Sequence, residues 1–104
     1  MSNDWQGLLD DVVAEVAAEV VDLRRFLHAH PEPSGQELET SLTLYQRLDA
    51  AGLAVRMGPD GCGVIADGGV GEGVVRTALR GDIDALLIHD EKFVSYRSTR
   101  DGVM

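Results

Sequence analysis

The sequence predicts an α/β fold, with two N-terminal helices packed on a small, mostly antiparallel meander. Three observations carry this. Apolar residues recur with a helical period through the first fifty residues. The period shortens to two just after Gly52, and glycine-rich turns then separate short apolar runs. At 104 residues the chain has material for one small domain and a modest core. It shows no internal repeat and no domain boundary.

The first helix is expected over residues 4–29. Leu8, Val12, Val16 and Val20 recur every fourth residue, and Leu9, Val13, Leu23 and Leu27 widen the stripe. Asp10, Glu15, Glu19, Asp22 and Arg25 occupy the other side, so one face should be buried. The many valines lower intrinsic helix propensity, which leaves tertiary packing to hold the helix. His30-Pro31-Glu32-Pro33 then forces extended geometry. Ser34-Gly35-Gln36-Glu37 spells a capping box ahead of a second helix over 35–51. Its expected buried stripe is Leu38, Leu42, Tyr45 and Leu48, and Gly52 is placed to end it in a left-handed conformation.

Strands are expected over 53–57, 63–66 and 74–79. Gly58-Pro59-Asp60-Gly61 supplies the first turn, and the glycine-rich stretch 68–73 supplies a loop tip. Residues 82–88 leave the C-terminal end of the third strand, where α/β folds usually place chemistry. Residues 89–104 read as a polar, irregular tail.

Composition narrows the function. Nine Lys and Arg against eighteen Asp and Glu give a net charge of −9. No basic stripe is available to neutralise phosphates, so nucleic acid is not an expected partner. No apolar run approaches the roughly 18 residues that span a bilayer, so a membrane is not expected either. The first eleven residues carry three Asp and no basic region, unlike a secretory leader. The single Cys62 can form neither an internal disulfide nor a structural zinc site, which makes the cytoplasm the expected location.

The motifs are sparse. Asp82-Ile83-Asp84 puts two carboxylates on one face of an extended segment. Such a pair can hold a divalent metal or orient a metal-binding histidine, and it can equally be a solvated pair in a turn. His28 and His30 would sit about 200° apart on a helix and would not share a face. His89 carries no motif, and Cys62, between two glycines, reads as a small residue filling a turn. The glycines of 68–73 fit neither a P-loop nor a dinucleotide fingerprint. On its own residues the chain is an α/β piece with one acidic spot and no complete catalytic set.

Three stretches taken together resemble a known family. Residues 23–37, Leu-Arg-Arg-Phe-Leu-His-Ala-His-Pro-Glu-Pro-Ser-Gly-Gln-Glu, are the first. Residues 79–86, Leu-Arg-Gly-Asp-Ile-Asp-Ala-Leu, are the second. Residues 96–104, from Tyr96-Arg97-Ser98-Thr99 into Asp101-Gly102-Val103-Met104, are the third. In this order and spacing they resemble the start of the metal-dependent amidohydrolases, the hippurate, N-acyl-amino-acid and indole-acetyl-amino-acid hydrolases, which are aminoacylase-like metallopeptidases.

The resemblance implies that residues 1–104 are a partial N-terminal segment of the zinc-exopeptidase-like catalytic domain, without the satellite dimerisation domain. Complete members use divalent metal (zinc, manganese or nickel) to activate water against the amide of a small-molecule substrate. The family's Cys- and His-bearing metal motif follows Gly-Val-Met, so the chain itself is expected to hold no metal and to be inactive alone. Asp84 matches the carboxylate that clamps a ligand histidine in the wider superfamily, and Asp82 stands where that histidine would stand. Both are therefore expected at the site wall or behind it. Leu87 departs from the family's usual Pro, which relaxes the loop after Asp84. The alternatives are a non-catalytic α/β remnant or interaction module, or one half of a split enzyme. Self-association or pairing with a downstream chain would follow from these.

Overall fold

The structure, a computed structural model, describes residues 4–69 and 76–104. Helix α1 spans Trp5–Ala29 and α2 spans Leu38–Ala50. Strands β1 (Ala54–Met57) and β2 (Val64–Asp67) form a two-stranded antiparallel sheet with Val55 opposite Ala66 and Arg56 opposite Ile65. Two helices and an antiparallel hairpin are the architecture the sequence periods predict.

Local chemistry sets each boundary. Asp4 caps α1 by accepting from the Gly7 amide at 2.9 Å. At the end of α2 the Gly52 amide donates to Asp49 O and the Leu53 amide to Leu48 O, at 2.9 and 3.2 Å. Gly52 has φ +85°, so this is the expected left-handed stop, closed in a Schellman pattern. The hairpin turn is tight. A Cβ on Gly58 would collide with the Cys62 carbonyl, so glycine is required there for space.

Three expectations are corrected. First, α2 begins at Leu38 and has no Ser34 cap; the Glu37 carboxylate instead accepts from the Gly35 amide at 2.6 Å. Its start is capped from further back, because Glu32 accepts from the Glu39 and Thr40 amides at 3.2 and 2.6 Å. A carboxylate there satisfies two orphan amides and faces the positive end of the helix dipole. Second, the inward side of α2 is led by Thr40 and Ser41, both buried, while Leu38 and Leu42 are exposed. Third, no strand forms over 76–79, which is exposed and without regular structure; residues 74 and 75, and 70–73 of the loop tip, lie outside the described residues. A strand is held by a ladder partner, and no backbone bond ties 76–79 to β2 among the described residues.

Polar clasps do much of the work usually left to a core. Among the described residues Val103 is the one buried aliphatic side chain, whereas Glu37, Thr40, Ser41 and Asp90 are all buried polar groups. No residue of α1 is buried, contrary to the expected buried stripe.

Ser41 shows how such a clasp works. It is fully buried, and its Oγ accepts from the Gly63 amide at 2.7 Å, tying the hairpin turn to α2. Ser41→Ala leaves that amide without its partner. The expected loss is about 1–3 kcal/mol of stability, read as a lower urea midpoint with an unchanged m-value.

Candidate functional site

The extended segment after Arg80 is held against the Pro31–Pro33 stretch. The Ala85 amide donates to Glu32 O at 2.9 Å, and Pro33 and Ala85 form a parallel bridge. On its other side, Leu86 and Met104 exchange both backbone bonds, at 2.8 and 3.0 Å. Residues 85–86 are therefore paired on both edges, which fixes where Asp82 and Asp84 lie.

An open cleft of about 320 Å³ results, with Ser34, Glu37, Cys62, Arg80, Asp82 and Asp84 on its walls. Three separated stretches of sequence meet there. Asp82 is exposed and pairs with Arg80 at 2.8 Å. Asp84 is exposed on the same wall. Cys62 is more than turn filler: its thiol donates to Gly35 O at 3.4 Å and lines the cleft. Burial, together with the nearby Glu37 and Asp60 carboxylates, pushes that thiol up, against a lowering contact from the Glu37 backbone. It is a protonated donor at neutral pH, not a ready metal ligand or nucleophile.

A second cluster, apart from the residues that line the cleft, carries no motif in the sequence. Asp90 is 2% exposed. Its carboxylate accepts from His28 Nε2 at 2.9 Å, the Ser98 amide at 3.0 Å and the Lys92 amide at 3.1 Å. The Lys92 ammonium lies 3.4 Å away. The Ser98 amide, then His28 and the Lys92 amide, hold the Asp90 carboxyl well below the usual carboxylate range, against an opposing effect of burial. The tail anchored this way reaches back to the end of α1. Thr99 donates to Ala29 O through its amide at 2.9 Å and its hydroxyl at 2.7 Å, and Arg100 donates to Pro31 O at 3.1 Å. Tyr96 lies under the Arg25 guanidinium, 4.7 Å from ring centre to charge. The tail expected to be irregular is irregular in backbone, yet it is the clasp that positions Glu32.

Comparison with known proteins now places the chain. No family model matches it. It is 41% identical over 86 residues to the putative amidohydrolase YhaA of Bacillus subtilis, covering 83% of this chain and 22% of that one. It is 38% identical over 94 residues to the N-acyl-L-amino acid amidohydrolase of Geobacillus stearothermophilus, covering 89% and 25%. The crystal structure of the Bacillus subtilis YXEP protein, described as a dinuclear metal binding peptidase of the M20 family, superposes with a TM-score of 0.75 at 37% identity, over 84% of this chain and 25% of that one. The relatives of this chain are amidohydrolases. The chain matches the N-terminal part of these longer proteins and spans about a quarter of their length.

A two-metal amidohydrolase centre needs a cluster of ligands, and the described residues do not fit one. No three His, Cys, Asp or Glu side chains converge among them. Asp82 is engaged with Arg80, and the Cys62 thiol with a carbonyl. No described helix is long and apolar enough to cross a membrane.

Proposed function

We propose that these residues build one wall of the substrate cleft of an amidohydrolase that cleaves N-acyl amino acids, and that the 104-residue chain alone does not catalyse the reaction. The carrying observation is the cleft where residues 34–37 and 80–84 meet, in a chain whose similarity to amidohydrolases runs through both stretches. Amide hydrolysis of this kind needs a metal-held water, a polarised carbonyl and a general base. The chain's own contribution is positional. Asp84 is an exposed carboxylate on the cleft wall, able to steady a ligand supplied from elsewhere, and Arg80 with Asp82 forms a charged rim that can orient a polar substrate end. The complete reaction needs the remaining parts of such a domain, and the reading puts that enzyme in the cytoplasm.

Two measurements test this. The chain alone should show no turnover of hippurate or N-acetyl amino acids, and no submicromolar binding of zinc, manganese or nickel by calorimetry. Turnover abolished by Asp84→Asn, or tight metal binding, defeats the claim of inactivity. When these residues replace the matching quarter of the Geobacillus enzyme, the chimera should hydrolyse N-acyl amino acids. Asp84→Asn in it should cost roughly 10–100-fold in activity. A folded but inert chimera, or one indifferent to Asp84, defeats the cleft-wall assignment.

A further inference from the structure

Glu32 lies between two prolines, Pro31 and Pro33. The ring of Pro33 excludes helical geometry from the residue before it, so the backbone at Glu32 is extended and its carbonyl points sideways from the chain. That carbonyl accepts from the Ala85 amide at 2.9 Å, and the next residue, Pro33, bridges Ala85. Ala85 directly follows Asp84. The backbone of Glu32 therefore fixes the end of the 80–84 stretch.

Its side chain fixes the other stretch. The half-buried carboxylate reaches seven and eight residues forward, to the Glu39 amide at 3.2 Å and the Thr40 amide at 2.6 Å. Residues 32–40 are thereby closed into a loop, tightened inside by the Gln36 amide on Pro33 O at 2.9 Å. Ser34 and Glu37, which line the cleft, both lie within this loop. Thr40, where the loop closes, is buried and belongs to the first turn of α2. Glu32 itself is not among the residues lining the cleft.

We infer that Glu32 is a positioning residue for amide hydrolysis in this cleft: by closing the 32–40 loop while holding Ala85, it sets the spacing between the 34–37 wall and Asp84. The inference rests on the cleft-wall reading. Glu32 acts through Ala85 and Asp84 and touches no reacting atom. Without its carboxylate the Glu39 and Thr40 amides lose their acceptor, the loop opens, and the carbonyl turns away from Ala85. A shift of about 1 Å in a positioned group costs on the order of 100-fold in rate.

Hydrogen exchange on the 104-residue chain tests the coupling. Glu32→Ala should speed exchange at Glu39, Thr40 and Ala85 together, each on the order of tenfold. Glu32→Gln keeps the length and one acceptor oxygen, and should give a smaller rise at the same amides. The Gly58 amide, bonded to Gly63 O at 2.8 Å within the hairpin, should keep its rate in both. Faster exchange at Glu39 and Thr40 with Ala85 unchanged makes Glu32 a helix cap and overturns the inference. An equal rise at Gly58 means a general loss of stability and also overturns it. The reaction is tested in the Geobacillus chimera described above. Glu32→Ala should lower kcat there, and Glu32→Ala with Asp84→Asn should lose no more than Asp84→Asn alone, because one residue acts through the other. Losses that multiply in an active chimera overturn the inference and leave the cleft wall standing. A folded but inert chimera defeats the cleft-wall reading itself, and the positioning role falls with it whatever the exchange rates.

Discussion

Asp90→Asn should release the C-terminal tail from the end of α1. The carboxylate is surrounded by donors: His28 Nε2, the Ser98 and Lys92 amides, and the Lys92 ammonium. Asparagine keeps the shape but turns one acceptor into a donor, which must then face one of those groups with no room for water. The consequence spreads through the chain of contacts. Ser98 loses its anchor, and Thr99 and Arg100 follow, freeing the Ala29 and Pro31 carbonyls that they hold. Amide exchange at 98, 99 and 104, and tryptic cleavage after Arg97 and Arg100, should accelerate on the order of tenfold or more. Glu91→Gln, a change of the same type at the exposed neighbouring residue, should leave both rates unchanged. Unchanged protection in Asp90→Asn would mean that the tail is held mainly by Val103 and the Leu86–Met104 pair.

The cleft depends on this clasp indirectly. Glu32 caps α2 through its side chain and receives Ala85 through its carbonyl. Its position is set from one side by the tail and from the other by the helix it caps. A residue with this double role leaves no mark in hydrophobic periodicity. The pattern in sequence showed only that two prolines flank it.

That contrast marks how far the sequence was legible. The end of α2 and the hairpin limits were readable because they rest on local chemistry: Gly52 at a left-handed stop, the period change after it, and the glycine turn at 58–61. The meeting of residues 34–37 with 80–84 left no mark in the sequence, since the pairing of Pro33 with Ala85 joins residues 52 apart and carries no local signal. The Asp90 cluster was missed for the same reason: His28 lies 62 residues from it. One clue was present, Asp-x-Lys at 90–92 between His89 and Phe93, but such spellings are common. Residues 76–79 of the expected third strand form none, because an apolar run reports what a segment can pair with, not whether a partner is in place. The α1 stripe was read correctly as apolar and incorrectly as buried, because periodicity identifies a face and says nothing of what covers it.

Acid should open the same clasps together. The Asp90 carboxyl is held far below its ordinary 3.8. Glu32 is pushed up by burial, but the Thr40 hydroxyl and amide, the Glu39 amide and Arg100 outweigh this and leave it below its ordinary 4.5. Both groups thus release protons more readily folded than unfolded. Above their ordinary values both states are ionised, and the stability they supply is complete and independent of pH. As pH falls below about 4.5 the unfolded chain takes up protons first, so stability declines, and it keeps declining until the folded groups protonate in turn. Urea midpoints measured from neutral pH down to about pH 3 should be flat and then fall. Asp90→Asn should lower the plateau and remove one proton's share of the slope, while Glu32→Gln should remove another and fray the first turn of α2. A midpoint that rises on acidification, or a slope that both substitutions leave intact, would show that neither carboxylate is the acid-sensitive clasp.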